Sequence, residues 1–421
     1  MHSKAQLNFM VAVGSAAMLC LLTAFSSGCS NDDKNMPLDV PLSASQGISL
    51  AKHGEQSSRQ GQVNLVSDLS SFAAMRIDGS LLNPWGMAVS PTGIFWISAN
   101  HAGASVVYDS LGNAKRSPVT IPLSDSSGGG SPTGVVFNPT ALFIIPSTGE
   151  VSKFIFSSED GIISAWSSGS SAKVVVDRSS SSAVYKGLAL AINGSHYFIY
   201  ATNFRSGKVE AFDEQFQYDS TKAFRDPAIP AGFAPFNIQN IDGKLFVTYA
   251  KQKEPDHMDD QSGPGNGYVD IFGTDGKLLH RFASQGKLNS PWGIAKAPAD
   301  GFGDLEDALY VGNFGDGRIN IFDMDGRFVR QLSDSTGHPI TIPGLWGLMF
   351  KEELVQDKKP GNHRGWDNKG GHDGRGDQDK ISLLYFTAGP NDESDGVFGY
   401  LQNIKQEPKN NGDDHHGRFS R

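Results

Sequence analysis

Side chains able to hold a hard cation or move a proton recur at a few places in this sequence. Asn100, Asn203 and Asn313 each close a short apolar run, in "FWISAN", "IYATN" and "LYVGN". Amide oxygens that converge with a carboxylate make a calcium-type site, because calcium takes about six to eight oxygen ligands. The ordinary role of such asparagines is to satisfy backbone groups in a turn, so both readings stand. Glu159 in "SSEDGIISAW" and Glu393 in "GPNDESDG", each beside an aspartate (Asp160, Asp392), are the carboxylates best placed to serve as ligand or as acid/base group. A turn carboxylate is otherwise simply solvated. Five histidines, His257, His363, His372, His415 and His416, fall in polar tracts without the spacing that sets a pair on one helix face. They read as solubilising residues, with metal capture as the alternative.

These residues need a scaffold, and the sequence supplies one by repetition. Six segments align: "NPWGMAVS" from Asn83, "SPTGVVFN" from Ser131, "VYKGLALA" from Val184, "APFNIQNI" from Ala234, "SPWGIAKA" from Ser290 and "GLWGLMFK" from Gly344. Each places a small residue or Asn at one register (Gly86, Gly134, Gly187, Asn237, Gly293, Gly347) ahead of a short apolar strand. The starts recur at steps of roughly fifty residues, the length of one four-stranded propeller blade. A second strand follows in each unit ("IFWISAN", "FIIPSTG", "FIYATNF", "LFVTYAK", "LYVGNFG", "LYFTAGP"), then a third after a glycine-rich turn. Alternation of apolar and polar positions between Gly, Asp and Asn turns suits half-buried antiparallel strands. The expected fold is therefore all-β, a six-bladed β-propeller. Residues 62–69, "QVNLVSDL", belong to no unit and are expected to complete the final blade and close the ring.

One register becomes interesting in a ring. Trp85, Trp292 and Trp346 share it, with Thr133, Lys186 and Phe236 in the other blades. An aromatic at a channel mouth can stack on a sugar or another flat ligand, or can pack between neighbouring blades. Lys186, the one charge in the set, can bind an anion or pair with Glu159.

The stretch "LYVGNFGDGRINIFDMDG", residues 309–326, imitates two ligand loops. A phosphate loop would lead into a helix, whereas strand residues follow. A calcium loop would carry a glutamate six residues after its glycine, and Leu332 stands there. Both glycine clusters read as hairpin turns.

The repeat unit resembles an NHL-type propeller repeat. The ordered motifs "LNPWGMAVSP", "PTGVVFN", "SSEDGIISAW", "PFNIQNIDGKLFVTYAKQ", "GNFGDGRINIF" and "LYFTAGPNDESDGVFG" resemble an uncharacterised family of secreted bacterial propeller proteins, over about residues 63–404. That resemblance implies the fold and export, and no activity. Some members carry a carboxy-terminal sorting tail; here the chain closes on "NNGDDHHGRFSR". By fold analogy alone, calcium-dependent lactonases on six-bladed propellers use a site in the central channel.

Composition bounds the rest. There are 49 glycines and 21 prolines, and charged residues make up 19%, which favours short strands and turns over long surface helices. A net charge of −9 offers no basic footprint for nucleic acid. Residues 1–28 carry Lys4, an apolar run from Phe9 to Phe25 and small residues before Cys29, the order of an export signal. Cys29 after Gly28 stands where a bacterial lipoprotein is lipidated, although Ser26 replaces the usual leucine-like residue; ordinary cleavage nearby is the alternative. Cys20 lies in the signal, so the mature chain has no cysteine pair for a disulfide. Residues 29–61 read as a flexible polar tether, 62–404 as the propeller with polar loop insertions at 251–267 and 355–380, both expected to be mobile, and 405–421 as a disordered tail.

The sequence thus points to an exported propeller, periplasmic or at the cell surface, lipid-anchored through Cys29 and monomeric. It would bind an unidentified protein or small molecule at the channel mouth, with Trp85, Lys186, Phe236, Trp292 and Trp346 as ligand-binding candidates. The alternative is a calcium-dependent hydrolase of lactone or ester type, with Asn100, Asn203 and Asn313 as metal ligands and Glu159 or Glu393 as acid/base.

Overall fold

The computed structural model describes residues 61–402 except 126, 300, 301, 303, 304, 335 and 355–379. The expected signal, tether, tail and second insertion, with Cys29, His363, His372, His415 and His416, lie outside the described residues.

Two strands precede the repeats, β1 (Gln62–Ser67) and β2 (Arg76–Ile77). Blade one is β3 (Pro84–Val89), β4 (Phe95–Ala99), β5 (Ala104–Tyr108) and β6 (Val119–Thr120); blade two is β7 (Pro132–Phe137), β8 (Phe154–Ser158), β9 (Ile162–Trp166) and β10 (Lys173–Asp177). Blade three has three strands, β11 (Tyr185–Asn193), β12 (His196–Asn203) and β13 (Lys208–Phe212). Blade four is β14 (Phe233–Ile241), β15 (Lys244–Lys251), β16 (Gly267–Phe272) and β17 (Leu278–Ser284), and blade five is β18 (Pro291–Lys296), β19 (Leu309–Asn313), β20 (Ile319–Phe322) and β21 (Phe328–Gln331). Blade six is β22 (Leu345–Leu354), β23 (Lys380–Ala388) and β24 (Val397–Gln402), extended by β1 and β2.

The inner strands β3, β7, β11, β14, β18 and β22 contact one another in that order, and β22 returns to β3. This closes a six-bladed β-propeller, as the repeat requires. The ends of the ring are joined by β1, antiparallel to β24 with Gln62 opposite Leu401 and Ser67 opposite Val397. Leu65 and Val66 are buried there, so the closing strand also fills the core between blades six and one.

The repeated glycine has a specific job. Every inner strand shifts register against its partner at that place, as between Pro84 and Met87, Pro132 and Val135, or Pro291 and Ile294. A Cβ on Gly134 would lie 2.5 Å from the Leu188 backbone nitrogen, and one on Gly293 would lie 2.5 Å from the Trp346 carbonyl oxygen. The glycine is therefore a bulge at which the next blade's inner backbone touches, and a side chain added at Gly134 or Gly293 would collide with that backbone. Hydroxyls latch the same level: Thr133 Oγ1 donates to the Tyr185 carbonyl at 2.8 Å and Thr202 Oγ1 to the Phe236 carbonyl at 3.1 Å. Blade four has Asn237 at the glycine register, and its Nδ2 makes the equivalent bond to the Trp292 carbonyl at 2.8 Å.

Blade two departs from the expected strand assignment. "FIIPSTG" does not form its second strand; β8, "FIFSS", does, and residues 139–152 make an excursion between β7 and β8. The apolar runs at 143–145 and 154–156 compete for the role, and only the second leads directly into the hairpin with β9.

The 309–326 stretch forms the two turns expected. Gly317 (φ +67°) lies between β19 and β20, and Gly326 (φ +83°) between β20 and β21. Asp323 Oδ1 accepts from the backbone N–H of Asp325 at 3.0 Å and of Arg327 at 2.8 Å, so its carboxylate is occupied in shaping the turn.

Candidate ligand site at the axial mouth

In blades one, four, five and six the residue before the bulge is an aromatic, and the four meet at the propeller axis. Trp85 and Trp346 stack with ring centroids 3.5 Å apart, and Phe314 stacks on Trp346 at 3.9 Å. Trp292 meets both tryptophans edge to face at 5.9 and 5.8 Å, and Phe236 lies 5.9 Å from Trp346. These contacts join blades one, four, five and six, so the aromatics cross the axis and plug it. Packing between adjacent blades, the alternative raised from sequence, is part of what they do: Trp346 of blade six packs on Trp85 of blade one and Trp292 of blade five, and Trp85 also reaches Trp292 across the axis. All four expected aromatics are buried, and Phe314, half-buried, forms the outer ring of the stack.

Above the plug stands Lys186, 2% exposed. Its ammonium pairs with Glu159, lies 3.4 Å from Asp259 Oδ1 and sits 5.1 Å over the Trp85 ring. Asn100 Nδ2 donates to Glu159 Oε2 at 2.9 Å. Asn83, fully buried at the entry to β3, receives the Trp346 indole N–H on Oδ1 at 2.9 Å and donates from Nδ2 to Glu393 Oε2 at 2.7 Å. Burial works against the Glu159 charge, but the Lys186 ammonium and the Asn100 amide outweigh it and hold the carboxyl below the usual range. Burial likewise opposes the Lys186 charge, and Glu159 and Asp259 reverse the balance, so its pKa rises. For Glu393 and Asp260 burial prevails over their hydrogen bonds and the attraction of Lys186, and both carboxyls are raised.

The loop carrying Glu393 is strained. Asn391, Asp392 and Glu393 all have left-handed φ, at +56°, +53° and +66°. Each such residue costs about 1–2 kcal/mol without glycine's freedom. Backbone bonds from Ser394 to Asn391 and from Asp395 to Pro390 hold the turn. Strain of this kind is retained where it positions a side chain, here Glu393 over the axis.

Of the residues expected from sequence, the structure gathers Lys186, Glu159, Glu393, Asn100 and the four aromatics at one end of the axis. It separates the asparagines. Asn100 follows β4, and its backbone N–H bonds the Asn83 carbonyl; the matching bonds in other blades come from Glu159, Phe204, Phe314 and Gly389. Asn203 and Asn313 stand one residue earlier, paired with Tyr185 and Pro291, and a one-residue offset turns a side chain to the other face. Asn203 bonds Glu210 at 2.9 Å and Asn313 bonds Asp316 at 3.0 Å, each within its own blade. Among the described residues no three His, Cys, Asp or Glu side chains are grouped as a metal ion would require. Asp160 Oδ2 accepts from the Ser131 N–H at 2.6 Å, and His257 bonds Glu254 on the outer part of the 251–267 insertion.

That insertion contributes Asp259 and Asp260, which sequence reading assigned to a mobile loop. The described geometry ties it down: Gln252 Nε2 donates to the Phe204 carbonyl at 2.8 Å, Lys253 N to Asp259 O at 2.8 Å and Gly263 N to Asn289 Oδ1 at 2.6 Å. Phe204 and Phe314 were also missed, and their place immediately after "ATN" and "VGN" was the available signal.

No family model matches the chain. Its sequence is 31% identical over 342 residues to the uncharacterized protein L690 of Acanthamoeba polyphaga mimivirus, a match spanning 78% of this chain and 87% of that protein. It is 32% identical over 294 residues to the uncharacterized protein R648 of the same virus, over 68% of this chain and 72% of that one. Among solved structures, virginiamycin B lyase from Staphylococcus aureus superposes with a TM-score of 0.44 at 14% identity, over 77% of this chain and 98% of that chain. The resemblance read from the motifs was to bacterial proteins, and these two sequence relatives are viral. At this identity and coverage, the chain belongs to the protein family of mimivirus L690 and R648.

Proposed function

We propose that this chain is an exported binding module of the cell envelope, tethered by a lipid on Cys29, that takes its ligand over the axial mouth around Lys186. The reading is carried by one observation. A buried ammonium on the inner strand of blade three, an ordered carboxylate partner and a carboxyl with a raised pKa on loops of other blades converge at the end of a rigid ring. Rigid blades with site residues on their loops are the usual division of labour in such folds. Carboxylates outnumber ammonium groups here, so the ligand carries cationic or hydroxyl groups, and Phe314 offers it a half-exposed ring face. The sequence alone supports export and the anchor.

A thermal-shift panel tests the site. The chain from residue 30 is melted with amino sugars, muropeptides and polyamines, after its metal content has been assayed. A saturable rise in melting temperature that Glu393→Gln weakens at least tenfold supports the reading. No shift with any class, or a shift untouched by Glu393→Gln, overturns it; stoichiometric calcium with a chelator-lowered melting point favours the hydrolase instead. Palmitate labelling that persists in Cys29→Ser removes the anchor.

A further inference from the structure

The axis holds a second space that none of the charged mouth residues lines. Beyond the aromatic plug, on the far side of the bulge glycines, the inner strands enclose a cavity of about 190 Å³. Trp292 is shared by the plug and by the cavity wall. The bulged backbones at Gly86, Gly134, Gly293 and Gly347 form the ring around it, and Met87, Val135, Leu188, Leu348, Met349 and Phe350 line it.

The chemistry of the wall narrows what fits. Among the described residues no Asp or Glu lines the cavity, and the one cation on its wall, Lys296, is held by Asp242 at 2.6 Å and Asp307 at 2.8 Å. The Asn237 amide nitrogen is committed to the Trp292 carbonyl. Gln239 stands exposed at the rim, and among the described residues its side-chain amide makes no hydrogen bond. A charged guest would be desolvated there without a counterion, at a cost of several kcal/mol. A space of this size, walled by backbone polar groups at the bulges together with aliphatic side chains and a tryptophan, suits a single ring that also carries a hydrogen-bonding group, and two unbranched methionines let the wall adjust to its outline.

We infer that this cavity is a binding site for a small, neutral, ring-sized molecule with one hydrogen-bonding end directed to Gln239. It is separate from the mouth and does not rest on the function proposed for it. On this reading the ring would lie against Met87, Leu188 and Met349, with Trp292 as a flat wall. Because the wall is backbone fixed by the bulges, the site is formed before the guest arrives.

The test uses p-cresol with the full propeller labelled at its methionine methyl carbons. Nuclear Overhauser contacts from the cresol ring to the methyls of Met87 and Met349, each assigned by substitution to Leu, are the expected result. Binding should saturate at one equivalent and weaken at least tenfold in Val135→Phe and in Leu188→Phe, each first shown to melt cooperatively. Contacts confined to other methionines, no saturation up to the solubility of the cresol, or undiminished binding in both filled variants would overturn the inference. The methyl contacts need no variant to fold beyond the conservative Leu replacements.

Discussion

Lys186 of blade three pairs with Glu159 of blade two across the top of the axis, and the pair rests on the face of Trp85. A lysine 2% exposed keeps its charge because carboxylates meet it, Glu159 foremost and Asp259 beside it. Lys186→Met should therefore cost about 3 kcal/mol, since it strands Glu159 in a desolvated mouth. Adding Glu159→Gln should restore much of the loss. Urea unfolding of the two single variants and the double variant measures the coupling, and purely additive losses would refute the pair's role.

The bulge glycines predict a contrast between substitutions of the same chemistry. Gly134→Ala forces a methyl group against the Leu188 backbone and should destabilise by about 2–3 kcal/mol. At Gly79 an added Cβ meets nothing within 4 Å, and the same replacement should be nearly neutral. Equal denaturation midpoints for the two variants would show that inner backbones do not touch at the repeated register.

Asp270 gives a pH dependence with a definite sign. It is fully buried, and burial raises its carboxyl to about 6 from 3.8 even though Arg281 pairs with it. Between these two values the folded chain keeps a proton that the unfolded chain has lost, so the contribution of Asp270 to stability falls as pH rises from about 4 to 6 and is flat above. Asp270→Asn should abolish that descending component. Stability curves of parent and variant that run parallel across the window would count against it.

Arg281 faces both Asp270 and Asp226. Replacing it with Met leaves two buried carboxylates without their cation and should cost about 3–5 kcal/mol, more than any surface ion pair. An exposed pair such as Arg327 with Asp325 is the control, with Arg327→Met expected to change stability by less than about 1 kcal/mol. Comparable losses at the two sites would overturn the distinction.

The ring's closure is testable by truncation. A chain starting at residue 61 should melt cooperatively, whereas one starting at residue 79 lacks β1 and β2 and bares the edge of β24. The shorter chain should aggregate through that edge. Within the full chain, Leu65→Ala should cost about 3 kcal/mol. A soluble, cooperatively folded chain from residue 79 would contradict closure by β1.

The six inner strands and their register were legible because the bulge demands the same small residue in nearly every blade. What the glycine does was not legible: a turn and an inter-strand bulge use the same residue, and only the shift between Pro132 and Val135 distinguishes them. Lys186 could be paired with Glu159 from sequence because it is the one charge at its register and Glu159 stands in a turn leading into a third strand. Asn203 and Asn313 misled because the strands before them end one residue later than the strand before Asn100, and alternation converts that single step into the opposite face. Asp259 and Asp260 were hidden in an insertion without apolar pattern, where the contacts that fix the loop are made by Gln252 and Asn289 to backbone atoms far along the chain.

The pairing of Gln62 with Leu401 also governs when this molecule can assume its shape. Strand β1 must wait, unpaired, until β24 has emerged, so the circle cannot be completed before nearly all of the propeller has been made.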